Sequence, residues 1–147
     1  MAEGELTASA IMCLAEEVEE NSAAFYEKLA SRFAKGREEF LGFAEESRKN
    51  KTFLVRTYQE TVSDALETAF SCKGLDLAAV EVSLPENAGL QEALEIAVSL
   101  ERRVSDLYFQ IAEQTQSLLA TIPRAFSRVA KKRAARIEVL QSMMGDA

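Results

Sequence analysis

The chain has 147 residues, the length of one domain, and this is enough to bury a core without disulfide or metal staples. Its net charge of -7 argues against general binding to nucleic acids or anionic membranes. It contains no histidine, which excludes Ser–His and Cys–His catalysis and removes the commonest nitrogen ligand for transition metals.

Four amphipathic helices are predicted in chain order, because apolar residues recur at three- and four-residue steps. Lys35-Gly36 breaks the first pattern, and Thr121 followed by Pro123 marks the start of the last. The turn signals Lys73-Gly74 and Pro85-Glu86 fall in a linker. The predicted helices cover residues of about 6–34, 37–70, 90–118 and 121–144, with the linker at about 71–89. The sequence therefore predicts an all-α four-helix bundle, with two helical hairpins joined by a long crossover linker.

An internal repeat relates the two predicted hairpins. Glu19 and Tyr26 reappear 82 positions later as Glu101 and Tyr108. Three further residues reappear 86 positions later, and these are Phe40, Ala44 and Leu54, matched by Phe126, Ala130 and Leu140. Because the offset is constant within each helix, the repeat indicates two similar halves.

Both halves resemble the rubrerythrin-like family of the ferritin-like superfamily. In that family the first helix of each half carries a Glu seven residues before a Tyr, and the second carries Glu-x-x-His after Phe-x-x-x and a small residue. Glu19–Ala30 (EENSAAFYEKLA) and Leu100–Glu113 (LERRVSDLYFQIAE) resemble the first helices. Phe40–Leu54 (FLGFAEESRKNKTFL) and Phe126–Leu140 (FSRVAKKRAARIEVL) resemble the second helices. The resemblance implies a single ferritin-like domain over the whole chain.

The resemblance also locates a degenerate di-iron site. Its six ligand positions correspond in this chain to Glu19, Ser47, Asn50, Glu101, Arg133 and Arg136. Only the two glutamates keep a ligand type, since serine and asparagine are weak neutral ligands and arginine stays protonated and repels cations. We therefore expect no metal, no other cofactor and no catalytic residue at this site.

Charge balance predicts what replaces the metal. Glu19 and Glu101 carry two negative charges, and Arg133 and Arg136 carry two positive ones. Since guanidinium groups pair with carboxylates through two parallel hydrogen bonds, these four residues are predicted to form a buried ion-pair network. Ser47 and Asn50 would complete its hydrogen bonds, and Tyr26 and Tyr108 are expected in the core with bonded hydroxyls. Glu45 and Glu46 precede a ligand position, and the helical period assigns them to the surface.

Three functions remain open from the sequence. The first is a rubrerythrin-like protein that has lost di-iron chemistry and acts without catalysis, as a scaffold or interaction protein and as a homodimer. The alternative is an oxidoreductase for peroxide or iron handling, holding iron or another divalent metal at Glu19 and Glu101.

The start of the chain lacks a signal-peptide pattern and no apolar run spans a membrane, so we expect a cytoplasmic protein without membrane contact.

The third function is a basic-helix module that binds an acidic partner or phosphate. From Thr121 onward the chain carries a net charge of +4, so residues 1–120 carry -11. The residues that would make the contact are Arg124, Arg128, Lys131 and Lys132. Since charged runs are most often solvated helix faces, nucleic acid is an unlikely partner.

Overall fold

The computed structural model describes residues 5–61, 71–73, 81–115 and 121–146. Four long helices make up most of this part, beside one short pair of strands. They are α1 (Ala8–Arg32), α2 (Arg37–Thr61), α3 (Leu90–Gln114) and α4 (Thr121–Asp146). The predicted helical residues 62–70 and 116–118 and the linker residues 74–80 lie outside the described residues.

The residues just before α1 form one strand of a short β-ladder, and the sequence did not predict this ladder. Strand β1 (Glu5–Thr7) pairs antiparallel with β2 (Ser71–Lys73), with Glu5 opposite Lys73. The first helix therefore begins at Ala8, two residues later than predicted, and the Thr7 Oγ1 accepts a hydrogen bond from the Ala10 N–H at 3.3 Å. Strands of three residues are too short to show a period-2 pattern, so the sequence carries no signal for this pairing.

The turn between α1 and α2 depends on Gly36. This residue has φ of +88°, which L-residues with a side chain rarely adopt. A Cβ atom placed there would lie 2.3 Å from Cε of Met143, near the end of α4. Across the turn, the Arg37 Nε donates to the Ala30 carbonyl oxygen at 2.7 Å. The glycine thus lets α2 turn back along α1 and lets α4 approach the turn.

The helices pack α1 on α2, α3 on α4 and α2 on α4 around one core. The six repeat residues on the second helix of each half are all buried there, and these are Phe40, Ala44, Leu54, Phe126, Ala130 and Leu140. The two repeat tyrosines pack on the repeat phenylalanines, with ring centroids 6.4 Å apart for Tyr26 and Phe40 and 5.5 Å apart for Tyr108 and Phe126. The two halves therefore place equivalent residues in equivalent layers of one core. Among the described helices, none combines the length and the hydropathy that crossing a membrane requires.

Candidate functional site: a buried cluster of glutamates and arginines

All six positions matched to the di-iron ligands are buried in the centre of the core. Their exposed fractions are 0% for Glu19, Ser47, Glu101 and Arg133 and 2% for Asn50 and Arg136. Each of the four helices contributes at least one of them, because each lies on the apolar stripe of its helix. A charged side chain on such a stripe must be paired, since burying an isolated charge is costly.

Arg133 lies between the two buried glutamates and bonds to both. Its Nε donates to Glu101 Oε1 at 2.5 Å and its Nη2 donates to Glu101 Oε2 at 3.0 Å, which is a two-bond carboxylate pair. Its Nη1 donates to Glu19 Oε1 at 2.8 Å. The remaining Nη2 hydrogen is directed to Ser22 Oγ at 2.9 Å. The guanidinium group of α4 thus joins α1 to α3 through the middle of the protein.

Arg136 extends the cluster from the core toward the surface of α2. Its Nη1 donates to Glu101 Oε2 at 3.3 Å, and its Nε donates to Glu46 Oε1 at 2.9 Å. The guanidinium carbon lies 5.3 Å from the Phe43 ring centroid and 5.6 Å from that of Tyr26, within cation–π range. The cluster therefore contains three carboxylates and two guanidinium groups, with Glu46 at its edge.

The assignment of Glu46 to the surface is only partly correct. Its side chain is 36% exposed, yet its carboxylate also lies 2.8 Å from Arg136 Nη2. The helical period places Glu46 at the edge of the buried stripe of α2. The long side chain of Arg136 reaches that edge, which a count of positions on α2 alone does not reveal. Glu45 is exposed and pairs with Lys49 at 3.3 Å on the surface.

Each repeat tyrosine bonds to the glutamate of the other half. The Tyr26 hydroxyl donates to Glu101 Oε2 at 2.5 Å, and the Tyr108 hydroxyl donates to Glu19 Oε2 at 2.6 Å. Burial, together with the neighbouring carboxylate, raises the pKa of both phenols well above the ordinary value. Both tyrosines therefore act as fixed hydrogen-bond donors to the carboxylates.

The electrostatics of the Glu101–Arg133 pair favour the charged form of both groups. Burial alone would raise the pKa of Glu101, but Arg133, Arg136 and their hydrogen bonds outweigh it and lower that pKa. Burial would likewise lower the pKa of Arg133, but Glu101 and Glu19 outweigh it and raise that pKa well above the ordinary value. Glu101 and Arg133 therefore stabilise each other's charged form.

The two short residues of α2 behave differently from each other. Asn50 Nδ2 donates to Glu19 Oε1 at 3.4 Å, whereas Ser47 Oγ has no hydrogen-bond partner among the described residues, contrary to expectation. By the 86-residue offset, Ser47 and Asn50 of α2 correspond to Arg133 and Arg136 of α4. By that offset, two short side chains of α2 stand where α4 carries two long ones.

The donor set of this cluster does not fit a di-iron centre. Two carboxylates face each other, but both are already bonded to the Arg133 guanidinium, which cannot give up its proton to act as a ligand. Neither nitrogen donors nor further bridging carboxylates occupy the other ligand positions. Within the described residues, no group of three or more His, Cys, Asp or Glu side chains is arranged to hold a metal ion.

Sequence reasoning missed one participant outright, the hydroxyl of Ser22. It donates to the Val18 carbonyl oxygen at 2.7 Å and accepts from Arg133 at 2.9 Å. The available signal was its spacing, because Ser22 lies three residues after Glu19 on the same face of α1. A polar residue one helical turn from a buried charge is a natural partner for that charge.

Comparison with protein-family models, with curated proteins and with solved structures finds no match to this chain. The family resemblance therefore depends on the repeat and on the six aligned positions alone.

Proposed function

We propose that this chain is a rubrerythrin-like, ferritin-like bundle in which an ion-pair network takes the place of the di-iron centre, and that it acts without catalysis as a scaffold or interaction protein. The observation that carries this proposal is the position of Arg133. Its guanidinium group lies between Glu19 and Glu101, at hydrogen-bond distance from both. A positive group at this point neutralises the same carboxylates that bridging metal ions would neutralise.

A network of this kind suits a structural role. It links α1, α3 and α4 by direct bonds, and Asn50 and Glu46 add bonds from α2. Buried ion pairs contribute little net stability, but leaving one partner unpaired is costly, so they disfavour alternative packings. The four helices are then held in one arrangement, and partner contacts are left to the outer faces.

We further propose a homodimer in the cytoplasm. Closed two-fold pairs are the commonest oligomers, and helical bundles offer long outer faces for pairing. The exposed free thiol of Cys13 is typical of a reducing compartment.

Metal content tests the main proposal. The purified protein is incubated separately with ferrous iron, manganese and zinc, then desalted and assayed by elemental analysis. We expect less than stoichiometric metal in every case, because a cation would have to displace Arg133 from both carboxylates. One or two tightly held ions per chain would contradict the proposal and favour the oxidoreductase alternative, with iron or another divalent metal at Glu19 and Glu101.

A restored-ligand variant supplies the positive control. The family pattern calls for Glu and His at the four altered positions, so the variant combines S47E, N50H, R133E and R136H. If the resemblance is correct, this variant binds two divalent ions per chain, and its melting temperature rises on adding metal because the ions bind only the folded state. A folded variant that binds no metal would contradict the family assignment while leaving the ion-pair geometry intact.

A further inference from the structure

A strip of exposed basic residues lies along the neighbouring outer faces of α2 and α4. Two contacts fix the relative position of these helices: Arg136 on Glu46, and the Arg128 guanidinium carbon 4.9 Å from the Phe53 ring centroid. On α2, Lys49 and Arg56 lie about one helical turn before and after Phe53. On α4, Arg124 and Lys132 lie about one turn before and after Arg128. We define the basic groove by the five residues Lys49, Arg56, Arg124, Arg128 and Lys132.

These cations have few counter-charges of their own. Lys49 forms an exposed ion pair with Glu45, and Glu46 on the same side of α2 is paired with Arg136. Glu60 is a further acidic residue on this side of α2. Within the described residues, no acidic side chain forms an ion pair with Arg56, Arg124 or Lys132. The basic residues lie within about 10 Å along the axis of each helix, so their positive charges repel one another. A bound partner whose surface carries several negative charges would reduce that repulsion.

An acidic groove of about 890 Å³ lies between α1 and α3. Exposed carboxylates line it, and these are Glu17, Glu81, Glu92 and Glu95. Arg103 is the basic residue among the lining residues, and it donates to the Ser99 and Glu81 carbonyl oxygens. Half-buried Val82 and Ile96 form the apolar part of the lining.

The two grooves lie on opposite sides of the molecule. Helix α2 packs on α4, α1 packs on α2, and α3 packs on α4, so the side formed by α1 and α3 faces away from the side formed by α2 and α4. Their charges are complementary. Each has an apolar portion, which is half-buried Phe53 for the basic groove and half-buried Val82 and Ile96 for the acidic groove.

We propose that the basic groove of one molecule binds the acidic groove of a second copy, in a head-to-tail contact. This inference rests on the self-association proposed above, but it replaces the closed two-fold pair with a contact between two different surfaces. Because the contact joins two different surfaces, a pair formed in this way leaves one basic groove and one acidic groove free. Association therefore continues beyond two copies as the concentration rises, unlike that of a closed two-fold dimer. A nucleic acid is the less favoured occupant, because the net charge of the whole chain is -7.

Sedimentation velocity measures the expected behaviour. The wild type is examined over a wide concentration range at about 0.1 M and about 1 M salt, between which the Debye length falls from about 10 Å to about 3 Å. We expect the weight-average sedimentation coefficient to rise with concentration at low salt and to fall close to the monomer value at high salt. A monomer at every concentration, or a dimer that salt does not affect, would overturn the proposal.

Charge-reversal variants then identify the surfaces. Lys49→Glu with Lys132→Glu lowers the charge of the basic groove from +5 to +1, and Glu17→Lys with Glu92→Lys changes the charge of the acidic groove from -3 to +1. Neither variant is expected to associate alone, but an equimolar mixture should form one-to-one pairs, because the acidic groove of the first variant and the basic groove of the second are unchanged. The matched control is Arg48→Glu with Arg102→Glu, which changes the same charge at exposed positions outside the basic groove and should still associate. Since all these residues are exposed, circular dichroism should show unchanged helix content.

Three results of the variant experiment would overturn the proposal. The first is association that persists in either charge-reversed variant. The second is a mixture that stays monomeric. The third is a monomeric wild type that binds a single-stranded oligonucleotide through Lys49 and Lys132, which would assign the basic groove to nucleic acid. None of these results bears on metal content, so the ion-pair proposal is tested separately.

Discussion

Replacing Arg133 with methionine tests whether the buried network is as tightly coupled as its geometry indicates. Methionine fills a similar volume but removes four hydrogen bonds, two of them to Glu101, one to Glu19 and one to Ser22. Glu101 keeps bonds only from Tyr26 and, at 3.3 Å, from Arg136. Glu19 keeps its bonds from Tyr108 and from the Asn50 amide.

The expected loss follows from breaking a buried pair on one side. Removing one partner typically costs about 3–5 kcal/mol, because the remaining charge stays buried without compensation. In a domain of this size each kcal/mol lowers the melting temperature by roughly 2–4 °C, so Arg133→Met should lower it by roughly 6–20 °C. Urea and thermal unfolding, followed by circular dichroism at neutral pH, measure both quantities.

Two further variants separate charge pairing from packing. Adding Glu19→Gln and Glu101→Gln to Arg133→Met removes the unpaired charges and should recover at least about 2 kcal/mol, because replacing a whole buried network is often close to neutral. Arg48→Met removes an ion pair whose side chains are 45% and 49% exposed, and it should cost less than about 1 kcal/mol. A loss below about 1 kcal/mol for Arg133→Met, or no recovery in the triple variant, would refute the reasoning.

Three other predictions concern individual groups of the network. The folded-state pKa of Glu101 lies below its ordinary value of 4.5, so the ionised carboxylate stabilises the fold above pH 4.5. This contribution is lost as the pH falls through the folded-state pKa. The destabilisation by Glu101→Gln, measured by urea unfolding, should therefore be largest near neutral pH and smaller in acid. Ser22→Ala removes the hydroxyl that accepts from Arg133 and should lower the free energy of unfolding by about 1–3 kcal/mol. Ser47→Ala removes a hydroxyl with no hydrogen-bond partner among the described residues and should leave that free energy unchanged or slightly raise it. Equal effects of the two substitutions in chemical denaturation would contradict these assignments. In a spectrophotometric titration at 295 nm, Tyr26 and Tyr108 should stay protonated until the protein unfolds in alkali, and reversible ionisation of both near pH 10 would contradict their bonding to carboxylates.

The helices were predictable from sequence because their signal is local. Apolar residues recur with the helical period, and Gly36 and Thr121 mark where helices end or begin. The pairing of Glu5–Thr7 with Ser71–Lys73 was not predictable, since it joins two three-residue segments far apart in the chain. Backbone hydrogen bonds between such short segments leave no periodic trace in the sequence.

The charged residues of the site could be named from the resemblance to the rubrerythrin-like family, but their partners could not be assigned. That resemblance implied that Arg133 and Arg136 stand where the family has metal ligands. It did not indicate that Arg133 would bond both glutamates, or that Arg136 would reach Glu46 at the edge of α2. Hydrogen-bond partners depend on side-chain directions across a core, which spacing along one helix does not specify.

The sequence by itself determined the all-helical class, the two similar halves and the set of charges that had to share one core. Those properties depend on periodicity, offsets and composition, which are properties of the chain alone. Only the tertiary structure decided which carboxylate each guanidinium group binds and that Ser22 and Glu46 join the network. It also decided that Ser47 has no hydrogen-bond partner among the described residues. The physical reason is that these contacts join side chains from different helices, and their distances are fixed only when all four helices pack together.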